Sequence, residues 1–195
     1  SADRSYESTA KLLFRQTIDN ALNSVGILPS AADPDNLANS NVEVVGSRRV
    51  AAATSRELRS QGIDLSAEDV HDDVIVATKK DSDVVDITAT STSAERAAAI
   101  AQTYATNALG IARRQERRQA ARALQVVEER LNSLNPDERR FSQARLIDHI
   151  TRLQILVDGG VGGPEIIQDG FVPDERTGQP IRTIGLAVLF GLVLG

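Results

Sequence analysis

The chain opens with alternation. From Ser5 to Phe14, Tyr6, Ser8, Ala10, Leu12 and Phe14 fall on one face, and Glu7, Thr9, Lys11 and Leu13 on the other. A period of two predicts a strand. Asp19 to Pro34 carries Gly26, Pro29 and Pro34 and reads as a loop. Over Asn41 to Gln61 the residues Val42, Val45, Val50, Ala53 and Leu58 recur at roughly helical spacing, and Gly62 supplies a stop. Gly46 weakens the first turns of that helix. Ser66-Ala-Glu-Asp69 has the form of a capping box with Asp in the acidic place, and it opens a short helix ending near Asp72. Val74 to Thr78 and Val84 to Thr90 are β-rich runs; the short polar connector Lys79 to Asp83 predicts a hairpin.

Ser93 then caps the longest element. Ala94 to Leu134 contains no proline and no glycine but Gly110, so at about 1.5 Å per residue it reaches roughly 60 Å. Ile100, Tyr104 and Ile111 lie on one side of an alanine-rich first half, Arg113 to Arg122 is almost wholly polar, and Leu124, Val127, Leu131 and Leu134 want a partner helix. Asn135-Pro136-Asp137-Glu138 is a sharp restart, and Leu146, Ile150, Leu153 and Val157 continue the apolar stripe. An antiparallel helical hairpin over 94–157 follows. Asp158-Gly-Gly-Val-Gly-Gly-Pro164 breaks it. A phosphate-binding loop needs Lys and then Ser or Thr at the start of a helix; Pro164 and Glu165 stand there instead, so the run reads as a helix stop and flexible joint. Glu165 to Asp169 is a short strand, and Pro173 to Pro180 a polar, proline-marked linker.

From Ile184 to Gly195 no residue is charged or polar. A membrane span needs about 20 apolar residues, so the run reads as the front of a cut span. Gly191 and Gly195 form a small-xxx-small pair that either packs spans closely or faces lipid. The chain holds no Met, and it reads as a piece of a longer membrane protein. The expected fold class is α+β: a small mixed sheet of about four strands, a long helix with its returning partner as an extended hairpin, and a truncated transmembrane helix at the end. Residues 1–180 form one water-exposed domain and 181–195 start a transmembrane helix.

Composition narrows the chemistry. Hydrophobic residues make up 41% but aromatics only 3%, so Ala, Val, Ile and Leu must supply the packing. A net charge of −5 argues against a nucleic-acid partner. With no Cys and 2 His, little remains for nucleophilic or metal chemistry, and no catalytic residue, cofactor or metal is expected here. Glu68, Asp69, His71, Asp72 and Asp73 cluster at a helix end without an EF-hand pattern or a second His, and read as solvated charge. His149 has no assigned role. Arg113, Arg114, Arg117, Arg118 and Arg122 recur at helical spacing, several on one face. They are either a solvated or intersubunit salt-bridging face, or a rim for the anionic oxygens of an acidic polymer or a pyrophosphate.

Several motifs in this order carry a resemblance. Tyr6-Glu-Ser-Thr-Ala10, Val45-Gly-Ser-Arg-Arg-Val50, Leu65-Ser-Ala-Glu-Asp-Val-His-Asp-Asp-Val-Ile-Val76, Asp83-Val-Val-Asp-Ile-Thr-Ala89, Ala97-Ala-Ala-Ile-Ala-Gln102 with Tyr104, and Pro173 and Pro180 before a glycine-spaced apolar run follow one another across nearly the whole chain. Together they resemble the Wzz-type chain-length determinants, or polysaccharide co-polymerases, whose extracytoplasmic module also stands on bacterial capsule tyrosine autokinases. Thr92-Ser93 replaces the family's Asp-Pro, Gln102 its Asn, and two prolines a denser cluster. The resemblance implies a membrane-proximal α/β base with a protruding hairpin on the outer side of a bacterial plasma (inner) membrane. It further implies a ring-like homo-oligomer, a polysaccharide polymerase and its growing glycan as partners, and control of the chain length of a capsule, exopolysaccharide or O-antigen without catalysis in this domain. Alternatives are the ectodomain of a tyrosine autokinase, whose kinase domain would follow, and, ranked lower, the periplasmic adaptor of an export pump.

Overall fold

The computed structural model describes residues 5–14, 34–79, 82–159 and 163–174. β1 (Tyr6–Leu13) is the strand that the alternation predicts, with Ser8, Ala10 and Leu12 fully buried. It lies inside a four-stranded sheet of order β2-β3-β1-β4, in which β2 is Val74–Thr78, β3 Val84–Ser91 and β4 Glu165–Gln168. The sheet is not the mixed one expected, because every neighbouring pair is antiparallel. β3 and β4 do run the same way, since the chain leaves one, goes out along a helix and returns along another before the next. But β1 is inserted between them and opposes both.

One sheet face is apolar and covered; the other is polar, with Thr9 hydrogen-bonded to Thr88 at 2.9 Å and Lys11 paired to Asp86 at 3.6 Å. On the covered side come α1 (Pro34–Val45), which meets β2, and α2 (Arg48–Ser60), which packs on the helices that follow it; they are two helices where one over Asn41 to Gln61 was expected. The break is at Gly46 and Ser47. Ser47 is extended (φ −66°, ψ 145°), and its hydroxyl donates to Val44 O at 2.8 Å, which diverts the backbone. The first helix also begins earlier than expected, at Pro34, where the proline lacks the N–H that a helix start leaves unused anyway. Gly62 ends the next helix at φ +83°, as its position predicts. α3 (Ala67–Asp73) carries the full capping box: Asp69 N–H donates to Ser66 Oγ, and Ser66 N–H to Asp69 Oδ2, both at 3.0 Å.

α4 (Ala94–Ser133) is one continuous helix, capped by Ser93, and α5 (Pro136–Val157) returns beside it. The first half of α4 buries Ala97, Ile100, Ala101, Tyr104, Ala105, Ala108 and Ile111 against the sheet and the other helices. Alanines let the helix lie close, while Tyr104 supplies bulk. Its hydroxyl donates to Val45 O at 3.0 Å and satisfies a carbonyl at the end of α1; burial pushes the phenol's pKa up to about 12, so the bond persists across the physiological range. A second core joins Ala120, Val127 and Leu134 to Leu146 and Leu153 of α5. Between Ala112 and Ala120 no residue of α4 is buried.

Register fixes the ends. Tyr6 pairs with Ser91, so the start of β1, the end of β3 and the start of α4 share one end of the sheet. From there α4 crosses the sheet and runs on, which puts the hairpin turn about 60 Å from Ala94. After β4 the chain comes back to that same end, stitched down on its way. Gln168 Nε2 donates to Thr9 O at 3.0 Å, Gln102 Nε2 to Asp169 Oδ1 at 2.9 Å, Gly170 N to Gln102 Oε1 at 2.8 Å, and Ser8 Oγ to Phe171 O at 2.7 Å. Pro173 lies half-buried just beyond. Pro180, Gly191, Gly195 and the whole of the transmembrane segment expected over 181–195 lie outside the described residues. Among those described, no helix is long and apolar enough to cross a membrane.

Two substitutions test this packing. A Cβ on Gly170 would stand 2.8 Å from Ala98 O and 2.9 Å from Gln102 N, both backbone atoms of a helix that cannot yield. Gly170→Ala is expected to cost about 2–3 kcal/mol in denaturant unfolding, as overpacking does. Thr54 is fully buried in α2 and its hydroxyl has no hydrogen-bond partner among the described residues. Thr54→Val keeps the shape and removes an unsatisfied group, so it is expected to raise stability by up to about 1 kcal/mol.

Candidate functional site

The arginine-rich stretch of α4 occupies the neck between the two cores. All five side chains are exposed, but the structure divides them. At about 100° per residue, Arg113 and Arg117 lie towards the side on which α5 packs, while Arg114, Arg118 and Arg122 recur every four residues in a sector of about 80° on the side away from it.

The first pair works within the chain. Arg113 Nε donates to Pro164 O at 3.1 Å. Gly159 ends α5 at φ +84°, and a Cβ there would meet Arg117 Nη2 at 2.5 Å, so the guanidinium lies directly over the glycine backbone. Glu116 reaches the same joint: its Oε2 would stand 2.9 Å from a Cβ on Gly163. Gly159 and Gly163, on either side of the glycine run, thus lie against side chains of the neck; residues 160–162, where a flexible joint is expected, lie outside the described residues. The missing Cβ atoms of Gly159 and Gly163 make room for these longer side chains.

The second set faces outward. Arg114 folds back over Gly110, and Arg122 Nε donates to Arg118 O, a carbonyl of its own helix, at 3.3 Å. Among the described residues none of the three forms a salt bridge. Arg118 and Arg122 continue the α4 face of Ile111 and Gln115. Those two line a cleft of about 360 Å³ with Glu43, Val44, Ser47 and Arg49, in the corner where α1 and α2 meet α4. Along the helix the stripe lies about 30 to 42 Å from Ala94. Three guanidinium groups over the 9 residues from Arg114 to Arg122 form a cationic strip whose forks fit carboxylate or phosphate oxygens.

The acidic cluster is at the opposite end of the molecule. Glu68, Asp69, His71 and Asp72 are exposed on α3, where Asp69 serves the capping box, and its hydrogen bonds with Ser66 hold its pKa down. Half-buried Asp73 has its pKa raised by burial first and by Asp69 and Asp72 next, with Arg96 opposing.

Some features escaped sequence reasoning. His149 is buried on α5 at 5% exposure; its i+4 relation to Leu153 carried that signal. Gln102 clamps the backbone at Gly170 from 68 residues away, and nothing local in sequence points to it. Val126, Ile147 and Ile155 leave the hairpin about half-exposed.

No protein-family model matches the chain, and no curated protein does. Solved structures similar to it include the following three. A fragment of WzzB, a polysaccharide co-polymerase from Salmonella Typhimurium, is 16% identical, with 90% of this chain and 100% of that one covered at a TM-score of 0.43. A mutant of the lipopolysaccharide O-antigen chain-length regulator of Shigella flexneri is 11% identical, with 89% and 100% covered at 0.42. A full-length bacterial polysaccharide co-polymerase is 14% identical, with 96% and 82% covered at 0.34. All three are Wzz-type co-polymerases, the family that the motifs resemble.

Proposed function

We propose that this chain is the extracytoplasmic part of a polysaccharide co-polymerase, a membrane-tethered scaffold that sets the chain length of a surface glycan and has no catalytic site of its own. The observation that carries this reading is the placement of both ends of the described fold at one end of the sheet, with a helical hairpin projecting about 60 Å away from it. A bilayer anchor in the Ile184–Gly195 run would stand the hairpin off the membrane. The neck arginines would then meet polymer at a set height.

Self-association is part of the proposal. Val126 on α4 and Ile147 and Ile155 on α5 are apolar and exposed, and Ile147, Thr151 and Ile155 form an outward stripe at spacing four. A second copy of the chain would cover them, and repetition of that contact would build a ring. Arg114, Arg118 and Arg122 are the residues assigned to the growing glycan or its lipid-linked pyrophosphate, and Arg113 and Arg117 to holding the neck closed.

The two roles separate experimentally. In a strain lacking the gene, the length distribution of the surface glycan on a gel is expected to change, and the unaltered gene to restore it. Replacing Arg114, Arg118 and Arg122 with Gln is expected to shift the distribution again with the melting temperature unchanged. Arg113→Gln with Arg117→Gln is expected to lower thermal stability. A glycan ladder indifferent to deletion would overturn the function; one indifferent only to the outward set would remove those arginines from it.

A further inference from the structure

We propose that Phe171 and Val172 form a lipid-contacting edge, entering the interfacial zone of a bilayer of neutral headgroups. This rests on the anchoring part of the function proposed above.

Both side chains are 53% exposed. Single exposed apolar residues are ordinary on protein surfaces, so exposure alone decides nothing. What sets this pair apart is its backbone. Phe171 O accepts from Ser8, Gly170 is pinned to Gln102, and the close approach of Gly170 to Ala98 and Gln102 leaves the segment after β4 no room to shift. The two apolar side chains are thus presented by a fixed support, with their ordering cost already met within the fold.

Position points to lipid as the occupant. Phe171 lies beside Ser8, near the start of β1, at the end of the sheet opposite to the direction in which the hairpin projects. The exposed apolar side chains Val126 and Ile147 lie out along that hairpin, and Ile155 lies near its neck, all away from this end of the sheet. Downstream of Phe171 the sequence passes through a short polar linker into the uncharged run Ile184–Gly195. An anchor there would draw this end of the fold, and not the hairpin, to the membrane surface. Half-buried Tyr6 stands at the same end, and aromatic rings with an apolar body favour the headgroup level. Charge selects the lipid: Val74 pairs with Ala89, so the acidic α3 that precedes it is also at this end, and Glu68, Asp69 and Asp72 oppose close approach to an anionic surface.

The chain contains no Trp, so Phe171→Trp introduces a single reporter and Ile147→Trp a control on the hairpin. Each full chain is added to phosphatidylcholine vesicles whose lipids carry bromine near the top of the acyl chain, and is recovered by flotation. The expected result is that Trp at 171 shifts to the blue and is quenched roughly twofold or more, while Trp at 147 keeps the emission seen without vesicles. If the chain floats but Trp at 171 is unquenched, the lipid contact is wrong and the anchor stands. Equal quenching at both positions would also overturn the contact, because the whole chain would then lie along the surface. If the chain does not float, the anchoring reading falls and the contact with it.

Discussion

Everything above the sheet depends on the backbone hydrogen-bond ladder of α4 across the neck. From Arg113 to Gln119 no side chain is buried, yet the helix continues and joins a core beneath the neck to a core beyond it. Tertiary burial does not hold those turns. What does is the helix propensity of an Arg-, Gln- and Glu-rich run, nucleated on both sides by packed segments. The Arg113–Pro164 bond and the Arg117 guanidinium over Gly159 then tie the returning chain to the same turns. Without that ladder the hairpin would be a separate body on a hinge, with no set height above the base.

The geometry divides the labour among residues of one kind. Arginines on adjacent sides of one helix have different surroundings: two meet backbone of the returning chain, and three meet solvent beside a cleft with mixed polar and apolar lining. A helix facing α5 on one side and open on the other makes that division inevitable once side chains repeat every three to four residues. At the far end of the base, the Gln102, Gly170 and Ser8 contacts bring the chain back to where β1 began. Sheet, helix and exit segment are thereby one unit, and a load on the exit is passed to the base of α4.

Much of this was legible from local pattern. The alternation of Tyr6 to Phe14, the Ser66–Asp69 box, the Ser93 cap and the Asn135-Pro136 restart each state a local rule that the fold obeys. Gly159 and Gly62 end helices in the left-handed region that glycine tolerates. What local pattern missed is non-local. The break at Ser47 depends on one extended residue inside an otherwise helical period. The antiparallel character of the sheet depends on β1 being inserted between β3 and β4, which no spacing records. The division of the arginines depends on where α5 returns, and the Gln102–Gly170 clamp joins residues that only the complete topology brings together.

α4 is a single rigid strut from the base to the hairpin turn. The chain has no cysteine, so Glu95→Cys and Ser133→Cys, both at exposed positions, give two clean sites for spin labels. Electron double resonance should return one narrow distance distribution centred at about 57 Å between the labelled backbone positions, the length of 38 helical residues. A broad distribution, or a population tens of ångströms shorter, would show that the neck bends and that α4 is no rigid strut.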